Sequence, residues 1–393
     1  MSVEMIEKLI LFSHFEFQLY KNRKYMFLRK LFTNVLGKRI IKGDTEEFSF
    51  FCSTKRSDLN ALFDKIYESC PYKKCKLELK KIKILNLSFL LGLIKNIYFL
   101  KEIDKYLINL CEVNKISLKE KLYIYVDKVA QDDFRKSISE LNLKKIKHFV
   151  VLEDALLYEQ TVVEYFNYLN INTITAQHAI FFLQDNFDNV QKLNYYNAPS
   201  NYVLTWGKNS NKLFEKFSPN IKKIICGNPI ILKKDIASSN FIAVAGDSVV
   251  FLENNKKMIE VAEQYAKKHS IKLLIRLHPS DNINNYKIDT SVTSFEKNIE
   301  EAYFIILHAS SMLCNYMAQG RAVFRYKDDV KLDYIPSSIE FSSVNELEKL
   351  VQKINKINFY ELSKENIAYI GIDSMKKYKQ AFEYIKYNEI NEN

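Results

Sequence analysis

The chain has 393 residues, of which 47% are hydrophobic, and this composition excludes an intrinsically disordered protein. Its 58 basic and 47 acidic residues give a net charge of +11. That charge is compatible with a solvated basic surface, with phosphorylated substrates or with an acidic membrane face. The sequence has no Arg-rich tract and no nucleic-acid-binding signature, so we expect no nucleic-acid partner.

The cysteines and the apolar runs indicate in which cellular compartment the protein is expected. Cys70 and Cys75 lie five residues apart without a second pair, so we expect free thiols in a reducing cytoplasm rather than a zinc site. The first residues lack the pattern of a secretion signal. The most apolar run, Ile82–Leu100, is interrupted by lysines and is too short to span a bilayer. We therefore expect a cytoplasmic protein, either soluble or peripheral on the cytoplasmic face of the inner membrane.

Residues 1–75 have a mostly helical pattern, and a regular alternation of strands and helices follows. The predicted strands of the first series are Ile82–Leu87, Lys121–Val126, His148–Leu152, Asn172–Thr175, Tyr202–Trp206 and Lys222–Cys226. The helices predicted between them are Leu90–Cys111, Asp132–Leu141, Tyr158–Leu169 and Ser210–Phe217. This alternation predicts a parallel sheet built from βαβ units.

A second series of the same kind begins after residue 240. Its predicted strands are Phe241–Ala245, Ile271–Leu277, Phe304–Leu307 and Arg321–Tyr326. Its predicted helices are Glu253–His269, Phe295–Glu301, Ser311–Gln319, Val344–Ile357 and the tail Tyr369–Tyr387.

The polar run at 228–240, which contains Pro229, predicts a linker between the two series. We therefore predict an α/β protein with two Rossmann-like domains facing a central cleft. The N-terminal domain, residues 1–232, would hold an acceptor. The C-terminal domain, residues 238–393, would hold a nucleotide-activated donor, and its last helix can pack back on the first domain.

The stretch Leu273–Asp281 begins as an apolar strand and breaks at His278-Pro279. Proline cannot continue the strand, so the imidazole is expected at the edge of the sheet. Arg276 lies two residues earlier, on the same face of the strand. A histidine and an arginine here can bind a phosphate leaving group. Alternatively, His278 is satisfied by hydrogen bonds within a tight turn.

His308 and the two serines Ser310 and Ser311 stand between a predicted strand and a predicted helix. Either serine can cap the helix. The same geometry points backbone N–H groups and the positive end of the helix dipole at an anion. We predict phosphate binding at this loop.

Two strand ends in the first domain carry candidate bases. His178 follows strand Asn172–Thr175 and can deprotonate an acceptor hydroxyl, because histidine titrates near neutrality. Glu153 and Asp154 end strand His148–Leu152 and are the second candidates. Alternatively, His178 holds a loop and the two acids cap the next helix.

Gly227, in the sequence Cys-Gly-Asn-Pro, is interpreted first as a turn into the linker and is kept among the candidate donor-binding residues. The paired acids at 132–133 and 328–329 belong to no metal-ligand constellation. We therefore expect neither a metal nor a cofactor beyond the nucleotide-activated substrate.

Taken together, these motifs resemble bacterial surface-polysaccharide transferases of the GT-B fold. That group includes capsule Kdo and sialic acid transferases and the CDP-glycerol glycerophosphotransferases of teichoic acid synthesis. The resemblance covers roughly residues 145–330 and rests on Glu153-Asp154, Thr175–Ala179, Val203–Gly207, Cys226–Pro229, Arg276–Pro279 and His308–Tyr326.

The resemblance implies roles for individual residues. In such families the His-Pro histidine and the paired serines bind the donor phosphate, which assigns that role to His278, Pro279, Ser310 and Ser311. The acceptor side is served by the acidic motif or by the Gln-His motif, which correspond here to Asp154 and His178. The chain departs from the pattern at Ala155 and Ala179, where glycine is usual. Alanine disfavours positive φ, so the local turns are expected to differ.

The function expected from the sequence is transfer of a sugar, without a metal, from a CMP-, CDP- or UDP-linked donor onto a capsule- or lipopolysaccharide-type glycan. The acceptor would be a glycan or a lipid-linked glycan. One alternative is a CDP-polyol phosphotransferase that uses glycerol or ribitol in teichoic-acid-like polymers. Another is a nucleotide-sugar epimerase, and the last is a non-catalytic partner in glycan assembly.

Overall fold

The computed structural model describes residues 3–20, 25–111, 117–181, 193–233, 239–247, 249–330, 332 and 334–392. The helices of the first part of the chain are α1 Val3–Tyr20, α2 Met26–Val35, α3 Ser57–Ser69, α4 Leu87–Lys95, α5 Phe99–Cys111, α6 Leu118–Ile138, α7 Leu157–Tyr168 and α8 Lys208–Phe217. Those of the second part are α9 Leu252–Lys268, α10 Met312–Ala318, α11 Val344–Val351, α12 Phe359–Ser363 and α13 Gly371–Glu392.

Two sheets organise the chain. The strands of the first are β1 Lys38–Lys42, β2 Phe48–Phe51, β3 Lys74–Ile82, β4 His148–Leu152, β5 Asn172–Ala176, β6 Tyr202–Thr205 and β7 Lys222–Ile225. The strands of the second are β8 Phe241–Ala245, β9 Lys272–Arg276, β10 Thr293–Phe295, β11 Ile305–Leu307, β12 Val323–Tyr326 and β13 Glu340–Phe341.

The first sheet has the strand order β1-β3-β2-β4-β5-β6-β7, and every pair except β1 with β3 is parallel. The second sheet has the order β10-β9-β8-β11-β12-β13 and is parallel throughout. Taken in chain order, the second sheet reads 3-2-1-4-5-6, the order of the Rossmann fold. The predicted fold class, α/β with two Rossmann-like domains, is confirmed.

The prediction of a strand at Lys121–Val126 was wrong, because these residues lie inside the long helix α6. Their β-branched and aromatic side chains favour a strand locally. However, Ser117 caps the helix by accepting a hydrogen bond from the N–H of Glu120. Tyr123, Ile124 and many later side chains of α6 are buried, so tertiary packing outweighs local propensity.

Two further predicted elements were also wrong. Of the predicted strand at 82–87 only Ile82 belongs to a strand, because Asn86 caps α4 by accepting from the N–H of Phe89. The predicted helix at 295–301 is not formed: Phe295 ends β10, and the residues after it form a loop in which the side chain of Asn298 accepts from the N–H of Glu300. An Asx turn of this kind competes with helix formation.

The C-terminal helix α13 packs on the first domain. The ring of Phe382 lies 5.6 Å from that of Phe48 and 5.9 Å from that of Phe50, both on β2. The ammonium of Lys386 lies 2.6 Å from the carboxylate of Glu47. The domain limits 1–232 and 238–393 remain predictions, and residues 234–238 of the predicted linker lie outside the described residues.

Gly227 is placed where the chain after α12 crosses the end of β7. Its φ is +80°, and a Cβ there would lie 2.1 Å from the carbonyl oxygen of Tyr369. That oxygen also accepts a 2.8 Å hydrogen bond from the N–H of Asn228, which holds it in place. The phenol of Tyr378 donates to the Gly227 carbonyl over 3.3 Å. The predicted part of Gly227 in donor binding stays a prediction.

We expect Gly227→Ala to reduce the free energy of unfolding by about 3 kcal/mol, through overpacking and a strained φ. Urea unfolding followed by circular dichroism measures this loss. The matched control is Gly246→Ala, because the nearest atom to a Cβ at Gly246 lies 3.6 Å away. Equal stability of the two variants would contradict the predicted clash.

Candidate functional site

The first sheet reverses its strand order at β2, which has β3 on one side and β4 on the other. In open parallel sheets ligands bind at this reversal, beyond the carboxyl ends of the strands. Glu153 and Asp154 directly follow β4, and His178 follows β5. The pairing of Leu152 with Ala176 brings these two strand ends side by side.

Glu153 and His178 form a pair at this edge. A carboxyl oxygen of Glu153 lies 3.2 Å from Nε2 of His178, and both side chains are nearly buried. Glu153 has a φ of +65°, which is uncommon for a residue with a side chain and is often found at functional sites. Nδ1 of His178 has no hydrogen-bond partner among the described residues.

Burial shifts the pKa of Glu153 and that of His178. It raises the pKa of Glu153 to about 8, with help from the neighbouring acids Glu159 and Asp154. Burial, with a smaller contribution from the nearby Arg56, lowers the pKa of His178 to about 3. At neutral pH the pair therefore holds one proton, which leaves as the pH rises through about 8.

A second buried carboxyl, that of Glu159, supports this edge from the first turn of α7. It accepts hydrogen bonds from the N–H and from the hydroxyl of Ser53, which follows β2. Burial raises the pKa of Glu159 to about 7, although the bonds from Ser53 act in the opposite direction. Sequence reasoning missed both residues. The position of Glu159 in a first helical turn was the available signal, but that position is common for acids.

Asp154 points away from this pair into the protein. Its carboxylate accepts a 2.9 Å hydrogen bond from the hydroxyl of Ser200 and lies 3.8 Å from the ammonium of Lys8. Burial lowers the pKa of Lys8, although Asp154 opposes the shift. These contacts tie Asp154 to α1 and to the start of β6, and its predicted role as a base stays a prediction.

A cavity of about 800 Å³ adjoins this edge. The loops after β2 and β4 contribute Ser53 and Leu156 to its wall, Leu157 begins α7 there, and α1, α2 and α6 close the other sides. The rest of the lining contains aromatic and charged side chains: Phe12, Tyr25, Tyr123 and Tyr158, the basic Arg29, Lys30 and Arg39, and the acids Glu16 and Asp127. Both acids form ion pairs with Lys30. Leu156 stands three residues after Glu153, so the cavity and the pair share a loop.

The second sheet reverses its order between β8 and β11, and a buried cluster fills this reversal. Nδ1 of His308 lies 3.2 Å from the carboxylate of Asp247, and Nε2 lies 2.7 Å from that of Asp328. Asp247 also accepts a 2.6 Å hydrogen bond from the N–H of Ala309. His308 is completely buried, so its ring nitrogens are engaged by two carboxylates. Its predicted role in donor binding stays a prediction.

The two carboxylates set the charge of His308. Burial alone would lower its pKa, but the contacts with Asp247 and Asp328 outweigh burial and raise it. The ion contacts therefore stabilise the fold fully below the ordinary histidine pKa of about 6.5. This contribution is lost as the pH rises through the raised pKa.

We expect Asp328→Asn to reduce the free energy of unfolding by about 2 kcal/mol near pH 6, because a charged contact is removed. The difference from the wild type should shrink as the pH is raised through the pKa of His308. Urea unfolding across this pH range measures it. Asp329→Asn changes the adjacent, exposed acid and serves as the control. A difference independent of pH would contradict a charged His308.

The loops after β8, β9 and β11 touch one another along this edge. The N–H of Gly246 donates to the carbonyl of Arg276 over 2.8 Å. The N–H of Val249 donates to the hydroxyl of Ser280 over 3.3 Å. The guanidinium of Arg276 contacts the sulfur of Met312, the first residue of α10. Contacts between the loops therefore link the β9 end to the start of α10.

His278 and Pro279 are exposed in the turn after β9. Nδ1 of His278 accepts a 3.1 Å hydrogen bond from the N–H of Ser280, and the Ser280 hydroxyl lies 2.8 Å from the same nitrogen. Because a backbone N–H can only donate, the neutral ring carries its proton on Nε2. The turn therefore presents an N–H donor, the group that an anionic oxygen requires.

Ser310 and Ser311 are half-buried at the start of α10. The hydroxyl of Ser310 accepts a 3.3 Å hydrogen bond from the N–H of Met312, and its carbonyl accepts from the N–H of Leu313. Ser310 thus caps α10, whereas the side chain of Ser311 makes no capping bond. Phosphate binding by the two serines stays a prediction.

The carboxyl edges of the two sheets are joined by residues 363–371. The N–H of Ala368 donates to the carbonyl of Trp206, just after β6, over 2.8 Å. The side-chain amide of Asn366 donates to the carbonyl of Tyr334, in the loop after β12, over 2.9 Å. The segment therefore contacts the chain just beyond the carboxyl ends of both sheets.

Solved structures show the same two-domain fold. The chain is similar to the UDP-GlcNAc 2-epimerase of Methanocaldococcus jannaschii in complex with UDP-GlcNAc and UDP. Their identity is 10%, the alignment covers 86% of this chain and 99% of that chain, and the TM-score is 0.52. At this identity the likeness shows the fold alone.

Two further structures are similar at lower TM-scores. One is the UDP-GlcNAc 2-epimerase of Rickettsia bellii, with 10% identity, coverage of 88% and 98%, and a TM-score of 0.49. The other is a UDP-glucosyltransferase of Polygonum tinctorium, with 8% identity, coverage of 87% and 99%, and a TM-score of 0.48. The structural neighbours thus include both nucleotide-sugar epimerases and glycosyltransferases. The chain matches no protein-family model and no curated protein.

Proposed function

We infer that the chain is a glycosyltransferase that moves a sugar from a CMP-, CDP- or UDP-linked donor onto a capsule- or lipopolysaccharide-type glycan. The observation that carries the proposal is that both sheets end in polar groups where their strand order reverses, and that one segment, residues 363–371, contacts the chain beyond both sheets. One edge offers the buried Glu153–His178 pair, and the other offers the cationic and N–H groups of Arg276 and His278.

In the proposed reaction the Glu153–His178 pair takes the proton of an acceptor hydroxyl once its own proton has left. The hydroxyl oxygen attacks the anomeric carbon of the donor, and the bond from that carbon to the nucleotide phosphate breaks. Arg276, the Nε2–H of His278 and the α10 loop at Ser310 and Ser311 stabilise the negative charge of the departing nucleotide. The reaction uses no metal, so chelation with EDTA leaves turnover unchanged.

The cavity beside Glu153 favours a transferase over an epimerase. An epimerase converts its nucleotide sugar without an acceptor, whereas a transferase has to hold a second substrate next to its base. A cavity of about 800 Å³, lined by aromatic side chains, by Arg29 and Arg39 and by Lys30 with its ion partners Glu16 and Asp127, has the size and chemistry for part of a glycan. It lies in the domain that carries the proposed base.

The test is release of free nucleotide from CMP-, CDP- and UDP-linked sugars, measured with and without bacterial glycan acceptors. The expected result is acceptor-dependent release from one donor class, with the sugar found in the product. Conversion of a nucleotide sugar without acceptor would identify an epimerase instead. A phosphodiester in the product from CDP-glycerol or CDP-ribitol would identify a polyol phosphotransferase. Nucleotide binding without turnover would indicate a non-catalytic partner.

A further inference from the structure

Helix α2 presents three distinct faces. Phe27, Leu31 and Val35 pack into the helical core of the first domain. A second face, which includes Met26 and Thr33, lines the cavity beside Glu153. The third face points to solvent and carries Leu28 and Phe32, and Leu36 continues it directly after the helix. These three side chains are between 45% and 58% exposed. An apolar stripe at helical spacing therefore has no partner within the described chain.

Helix α4 repeats this arrangement. Phe89 is fully buried and Leu93 is partly buried in the same core. Leu87, Leu91 and Ile94 face solvent and are between 56% and 72% exposed. Their spacing of four and three residues places them on one side of the helix.

The two stripes belong to one surface. The N–H of Asn86, which caps α4, donates to the carbonyl of Val35 at the end of α2 over 2.8 Å. The loops that flank α4 expose further apolar side chains. We call this the α2–α4 surface, and it consists of Leu28, Phe32, Leu36, Ile84, Leu85, Leu87, Leu91, Ile94, Ile97 and Tyr98. Contiguous exposed apolar side chains on this scale mark an interaction site.

The charges around the α2–α4 surface are mostly positive. Residues 79–106 contain six lysines and two acidic residues, Glu102 and Asp104, and the second of these pairs with Lys121. The six lysines are all exposed and are Lys80, Lys81, Lys83, Lys95, Lys101 and Lys105. On the α2 side the chain has no acidic residue between Glu16 and Asp44, and Arg29 is exposed.

We propose that the α2–α4 surface docks the protein on an anionic lipid membrane. Apolar side chains would enter the boundary between headgroups and acyl chains, and the surrounding lysines would contact anionic headgroups. Charge complementarity selects this partner, because an apolar surface bordered mostly by positive charge matches an anionic lipid bilayer. Among the described residues no helix is long and apolar enough to cross a membrane, so this attachment is peripheral.

Docking would also position the cavity beside Glu153. The cavity is lined by one face of α2, and the neighbouring face of the same helix belongs to the α2–α4 surface. A lipid-linked acceptor could then pass from the bilayer along α2 into the cavity. This last step rests on the proposed function, whereas membrane docking does not.

The test is flotation of the full chain with vesicles of phosphatidylcholine alone or mixed with phosphatidylglycerol. The wild type should float with the anionic vesicles and much less with the neutral ones, and high salt should weaken binding. The double variants Leu91→Glu/Ile94→Glu and Leu28→Glu/Phe32→Glu should each reduce binding to anionic vesicles by about tenfold or more. The matched control is Ile372→Glu/Tyr384→Glu, which changes two exposed apolar residues of α13 and should bind like the wild type.

Several outcomes would overturn the proposal. The wild type could fail to float, or the double variants and the control could float equally well. Sedimentation velocity excludes a second explanation: if the variants turn a dimer into a monomer while vesicle binding is unchanged, the surface is a contact between copies. Circular dichroism melting checks that each variant folds. If the protein binds vesicles but has no transferase activity, membrane docking is still supported. Only the proposed passage of a lipid-linked acceptor into the cavity is then rejected.

Discussion

Replacing His178 with alanine is expected to reduce kcat by roughly 10²- to 10⁴-fold, the usual contribution of a positioned general base. Nδ1 of His178 is buried and has no hydrogen-bond partner among the described residues, so an acceptor hydroxyl that reached it would meet an unsatisfied nitrogen. Removing the ring also removes the group that Glu153 contacts. Initial rates under saturating donor and acceptor measure the effect.

The pH dependence gives this prediction a second, independent readout. The proton of the Glu153–His178 pair leaves as the pH rises through about 8, so kcat/KM should rise to a plateau above that pH. Glu153→Gln should remove this rise, because glutamine does not titrate. A purely structural role of Glu153 would leave the shape of the profile intact.

The control for Glu153→Gln is Glu164→Gln. Glu164 is also a buried acid whose pKa burial raises to about 8, but it hydrogen bonds to Gln160 on the same helix, away from His178. Its substitution should preserve the pH profile. Asp154→Asn tests the other candidate base. A larger loss in Asp154→Asn than in His178→Ala, with both proteins folded, would transfer the role to Asp154.

The second large effect is expected for His278→Ala, which should reduce kcat by roughly 10²- to 10³-fold. The turn after β9 presents Nε2–H as a donor, and a preorganised donor stabilises charge that develops on the leaving phosphate. Because His278 is exposed, its removal should leave the free energy of unfolding nearly unchanged. Steady-state kinetics together with urea unfolding separate the two effects.

His269→Ala is the matched control for His278→Ala. His269 is likewise exposed and contacts Glu348, away from both strand reversals. It should retain wild-type turnover. Near-wild-type turnover in His278→Ala would refute the assigned role, and so would an equal loss in the two variants.

The sequence predicts the parallel strands well because burial on both faces leaves a clear pattern. All five residues of β4 are buried, and such a strand appears in the sequence as a continuous apolar run. Helix α6 has equally β-favouring residues, but they pack against other helices of the first domain. This packing depends on the tertiary structure, so the local strand propensity of these residues does not predict it.

The sequence predicts the individual residues of the candidate site but not the contacts between them. His178, Glu153 and His278 each stand at a strand end, which the sequence shows. The contact between Glu153 and His178 depends on the register of β4 against β5, and a sequence pattern does not specify register between distant strands. His308 contacts the carboxylate of Asp247. Asp247 is a single acid after a short strand, and nothing in the sequence pattern distinguishes it from other acids.

The return of helix α13 to the first domain has a consequence for protein synthesis. Phe48 and Phe50 are translated long before Phe382, which packs on both. Domains generally fold as units during synthesis, N-terminal first. Here the earlier domain stays incomplete until α13, which carries Phe382, has left the ribosome. In the interval its uncovered aromatic residues are a natural target for chaperones.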